Sequence, residues 1–95
     1  MGLNIEEEDR IKKNILMIGV SISILNSLSN IKDINFYAIE EEDIYINNDL
    51  DKYSNSILKK VILGRYIESD ECIQIARELN KEVKIDGVML ARDYT

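Results

Sequence analysis

Short apolar runs alternate along this chain with segments of helical periodicity, and that alternation constrains its fold more than any other feature. The first run, Asn14-Ile15-Leu16-Met17-Ile18-Gly19-Val20, has no polar spacing and ends in glycine. A strand buried on both faces of a parallel sheet has this pattern. Ser21 or Ser23 then serves as the N-cap of a helix through Ile31, with Ile24, Leu28 and Ile31 at i, i+4 and i+7 and Leu25 beside them. A second strand, Asn35-Phe36-Tyr37-Ala38-Ile39, stops at the polar run Glu40-Glu41-Glu42-Asp43. Residues 44–59 are mixed: Leu50, Tyr53 and Ile57 fit one helical face, whereas Asn47-Asn48-Asp49 and Ser54-Asn55-Ser56 favour turns, so a short helix within a loop is expected.

The third strand is Lys60-Val61-Ile62-Leu63-Gly64-Arg65-Tyr66. The clearest helix follows, with Ser69 as N-cap, Asp70 and Glu71 in the first turn, and Cys72, Ile75, Ala76, Leu79 and Val83 on one face. Asp86-Gly87-Val88-Met89-Leu90-Ala91 is the fourth strand. The order β-α-β-(α)-β-α-β predicts an α/β fold: a small Rossmann-like open sheet of about four mainly parallel strands with flanking helices. Residues 1–13 read as an N-terminal extension, and residues 14–95 as the domain. Doubly wound sheets are covered on both faces, yet the fourth strand has no helix after it. A partner that covers this face, or membership of a longer chain, is therefore expected.

Composition removes several functions. The 95 residues, 45% hydrophobic and 32% charged, suit one small globular domain. Twelve Lys+Arg against 18 Asp+Glu give a net charge of −6, which leaves no basic footprint for nucleic acid. The segment from Asn14 to Ile31 is interrupted by serines and asparagines, and the start Met1-Gly2-Leu3-Asn4-Ile5-Glu6 lacks the basic head of a secretory signal. No membrane partner and a cytoplasmic location are expected. Histidine is absent, which excludes Ser-His and Cys-His nucleophile activation and the commonest zinc ligand. Cys72, the single cysteine, reads as a small core residue.

Ligands of open α/β sheets bind beyond the carboxyl ends of the strands. Those ends carry Gly19, Val20, Ser21 and Ser23 after the first strand, Glu40 and Glu41 after the second, Tyr66 and Glu68 after the third, and Arg92 and Asp93 after the fourth. The candidate substrate-binding residues are Gly19, Ser21, Ser23 and Glu40. Gly19-Val20-Ser21-Ile22-Ser23 can offer N–H groups and hydroxyls to an anion, although a tight turn and a helix cap explain the same residues. Glu40 stands where a ribose-binding acid would, but Gly19-x-Ser21-x-x-Ile24 lacks the second and third glycines of a dinucleotide fingerprint. Carboxylates in Glu40-Glu41-Glu42-Asp43 can bind a divalent cation, but such a run is more commonly a solvated loop. No catalytic residue and no metal ligand is assigned. A phospho-receiver domain needs acids where Val20-Ser21 and Arg65-Tyr66 stand.

Ile15-Leu16-Met17-Ile18-Gly19 with its serine-bearing turn, Ala38-Ile39-Glu40, and Ile75-Ala76-Arg77-Glu78-Leu79 leading to Ile85-Asp86-Gly87-Val88 together resemble the N-terminal pre-ATP-grasp domain (biotin-carboxylase type) of ATP-grasp ligases. The resemblance spans about Asn14 to Thr95 in generic strand and helix patterns, without a signature catalytic residue. It implies a non-catalytic domain that packs against the ATP-grasp core and forms one wall of the substrate site. The implied ligase activates a carboxylate as an acyl phosphate with ATP and Mg²⁺ and passes it to a nucleophile. The family's ATP and metal residues lie in regions that this sequence does not contain. Only Gly19, Ser21, Ser23 and Glu40 match positions that face substrate. The alternative is a stand-alone α/β regulatory or interaction module that forms a homodimer through its uncovered sheet face or edge strand. A small nucleotide sensor using Gly19 to Ser23 is a third option.

Overall fold

The computed structural model of the chain describes residues 12–64 and 69–91. Its elements are β1 (Lys13–Ile18), α1 (Ile22–Leu28), β2 (Ile34–Glu41), α2 (Glu42–Asn47), α3 (Asp51–Ser54), β3 (Leu58–Gly64), α4 (Ser69–Glu82) and β4 (Gly87–Leu90). The strands form one sheet in the order β3-β2-β1-β4, and every pairing is parallel. This is the α/β, Rossmann-like arrangement that the alternation predicts. The chain steps from β1 outward to β3 and then returns to the other side of β1, so the switch in strand order lies between β1 and β4.

β1 is central and buried on both sides, as an unbroken apolar run requires. Consecutive side chains point to opposite faces. Met17 packs with Leu25, Phe36, Ala38, Tyr45 and Leu50 in a core on the α1–α3 side. Leu16 packs with Ile39 and Leu79 under α4 on the other. Both β1 residues are fully buried. In register, Ile18 lies between Ile39 of β2 and Leu90 of β4.

The other end of the sheet is tied by Asn14, a residue the apolar pattern did not single out. Its N–H donates to Asp86 Oδ2 (2.8 Å), its Nδ2 donates to the Lys84 carbonyl (2.8 Å), and its Oδ1 accepts from Asn35 Nδ2 (3.1 Å). Asp86 N–H returns a bond to the Asn14 carbonyl at 2.8 Å. One side chain and its backbone thus fix the starts of three strands.

Several boundaries differ from the sequence expectation: β1 ends at Ile18 and β3 begins at Leu58, two residues before Lys60, with Arg65 and Tyr66 outside the described residues. β2 continues through Glu40 and Glu41, because those residues pair with Leu63 and Gly64 of β3. The helix α1 stops at Leu28, and Ile31 is exposed rather than on the apolar stripe. The ambiguous stretch folds as two short helices, α2 and α3, with Leu50 buried, Ile57 half-buried and Tyr53 exposed. α4 is described from Ser69, which lies within the helix rather than at its N-cap. Its face is otherwise as expected, with Leu79 buried and Ile75, Ala76 and Val83 packed against the same core. Cys72 is half-buried at the margin of that face rather than in the core.

Candidate functional site

The carboxyl ends of β1 and β2 meet at the turn that leaves β1. Gly19 takes φ 88°, a left-handed conformation that a side chain would strain, and its N–H donates to the Ile39 carbonyl at 2.8 Å. That bond is one more rung of the parallel β1–β2 ladder. The Val20 N–H then meets the Glu40 carboxylate, donating to Oε2 at 2.8 Å, while Glu40 Oε1 accepts from the Glu41 N–H at 2.8 Å. Glu40 has no solvent exposure. A buried carboxylate needs donors, and backbone N–H groups at this distance make charge-assisted bonds stronger than neutral ones.

The structure therefore brings Gly19 and Glu40 together, and it shows what joins them. Glu40 holds the β1–α1 turn, with both oxygens turned to this chain's own backbone. The polar run splits accordingly: Glu40 and Glu41 lie in β2, whereas Glu42 and Asp43 are exposed in the first turn of α2. It is not the solvated loop that four consecutive acids suggest. Among the described residues no group of three or more His, Cys, Asp or Glu can hold a metal ion.

Ser21 is the N-cap of α1, but its side chain makes no capping bond; the first helical bond runs from the Leu25 N–H to the Ser21 carbonyl (2.9 Å). Instead the Ser21 and Ser23 hydroxyls lie 3.1 Å apart. They edge an open hollow of 350 Å³ floored by Val20, Ile44 and Leu50, with Asn48 on the far rim. Among the described residues no lysine or arginine lines it, and the Val20 N–H is taken by Glu40. These residues do not fit a nucleoside triphosphate with its magnesium, whose phosphates need cationic partners or open N–H groups. The hollow suits an uncharged polar group instead.

A larger groove of 620 Å³ runs along the flank of β3 beneath α4, over Ile62, Ile75 and Leu79, with Lys60 and Glu82 paired at its rim (3.1 Å). It lies beside the sheet rather than beyond the strand ends. Tyr66, Glu68, Arg92 and Asp93, expected at the carboxyl ends of β3 and β4, lie outside the described residues.

Burial, followed by the negative charge of Glu71, pushes the Cys72 thiol above the ordinary range, which disfavours the thiolate.

The most unusual surface is on β4. Val88 is 61% and Leu90 68% exposed. They pair with Leu16 and Ile18, so they share the face that α4 covers over β1 and β2. The Lys60–Glu82 pair turns one flank of α4 toward β3. By helical spacing Ile73, 48% exposed, lies on the opposite flank, toward β4. Among the described residues the sheet is covered from β3 to β1, whereas Val88 and Leu90 of β4 stand exposed on the same face. No helix of the described residues is long and apolar enough to cross a membrane.

No family model, curated protein or solved structure matches this chain. Its fold and site define a class: a small Rossmann-like α/β domain whose β1–α1 turn is held by Glu40 and whose fourth strand exposes Val88 and Leu90 on one face.

Proposed function

We propose that this chain is the non-catalytic N-terminal domain of an ATP-grasp carboxylate ligase, one wall of that enzyme's substrate site. The observation that carries the reading is the bare face of β4. Val88 and Leu90 alternate with the inward Gly87 and Met89 as in a strand meant to be covered. Covering a side chain of this kind contributes about 1.5–3 kcal/mol. The resemblance of the strand and helix segments supplies the family, and the hollow between Ser21, Ser23 and Asn48 supplies a neutral polar surface for part of a substrate. In this reading ATP and Mg²⁺ are bound by the remainder of the ligase, and the engagement of the Val20 N–H by Glu40 is consistent with that.

Two measurements test this. The native polypeptide that carries this sequence, isolated with an antibody and weighed by mass spectrometry, is expected to be several times larger than 11.0 kDa. It should release ADP from MgATP only when a carboxylate substrate is supplied from a panel of small carboxylic acids and amines. The 95-residue chain alone should show no heat with millimolar ATP in calorimetry. A native species of 11.0 kDa overturns the reading.

The same bare strand supports the alternative, a stand-alone module that dimerises through β4. A tight dimer of an 11.0 kDa native chain in sedimentation would establish it, with Leu90→Glu returning the chain to monomer.

A further inference from the structure

We draw no further inference here: the strongest candidate beyond the site already described, the uncovered face of β4 at Val88 and Leu90, carries nothing more because nothing in the structure shows what covers it.

Discussion

A carboxylate withdrawn from water at the end of a strand must find donors, and at Glu40 those donors decide the shape of the site. Val20 N–H and Glu41 N–H each sit 2.8 Å from one of its oxygens. Replacing Glu40 with alanine leaves the buried Val20 N–H without its acceptor, and a bond to a charged group is worth about 1.5–3 kcal/mol. Glu40→Ala is therefore expected to lower unfolding free energy by about 3 kcal/mol in urea titration, and Glu40→Gln, which keeps the volume and one acceptor, by about half of that. Equal stability of all three proteins would show that the turn is held by something else.

Cys72 gives a second residue-level expectation. Its thiol is held above the ordinary range by burial and then by Glu71. As pH rises the unfolded thiol ionises first, so the native state keeps a proton that the unfolded state has lost. The resulting stability is complete below the ordinary thiol range and is lost as pH climbs through the folded-state value. Alkylation by iodoacetamide at mildly alkaline pH should accordingly be slower in the folded chain than in urea; equal rates would contradict the assignment.

At the scale of elements, Gly87 of β4 pairs with Ile15 of β1. A Cβ at this position would stand 3.1 Å from Ile15 Cδ1, tighter than ordinary contact but against the tip of a flexible side chain. Gly87→Ala is expected to cost about 1 kcal/mol, and less in an Ile15→Val background, which removes that methyl group. A double-mutant cycle by thermal or urea unfolding should show coupling of about 0.5 kcal/mol or more. Strict additivity would mean that Ile15 moves aside freely.

The elements also show how far the sequence could be read. Strong periodicity located β1, β4, the start of β3 and the end of α4 to within about two residues, the usual limit for boundaries. β2 ran two residues past its expected end, since Glu40 and Glu41 are polar and only their ladder partners on β3 and the turn above β1 make a strand there favourable. Ile31 fits the helical stripe by spacing, yet α1 ends a turn earlier. Spacing does not reveal where the sheet stops beneath a helix.

Across the whole molecule, the two sheet margins differ among the described residues. At β3 the sheet margin lies under charged residues, with Lys60 bonded to Glu82; at β4 Val88 and Leu90 face outward. Exposed side chains add little to the stability of the isolated domain. The double variant Val88→Ser, Leu90→Ser should therefore unfold within about 0.5 kcal/mol of the parent. It should also bind less of a hydrophobic dye and associate less in sedimentation. In the native-length protein the same pair should be clearly destabilising if β4 is covered there, and a loss confined to neither form would count against β4 as a buried contact.

The amino-acid sequence by itself determined the α/β class, the parallel sheet and the two-sided burial of β1. Each of these follows from local periodicity: apolar runs with no polar spacing can only be satisfied between two layers of helices. It also determined that Gly19 and Glu40 meet at one end of the sheet, because parallel strands bring their carboxyl ends together. Only the tertiary structure decided what the meeting does. Whether Glu40 faces a ligand or its own chain depends on where the Val20 N–H points just after the positive-φ Gly19, a relation between residues twenty apart in the chain. The role of Asn14 belongs to the same kind, since its partners come from β2 and the start of β4 and become neighbours only when the strands are aligned.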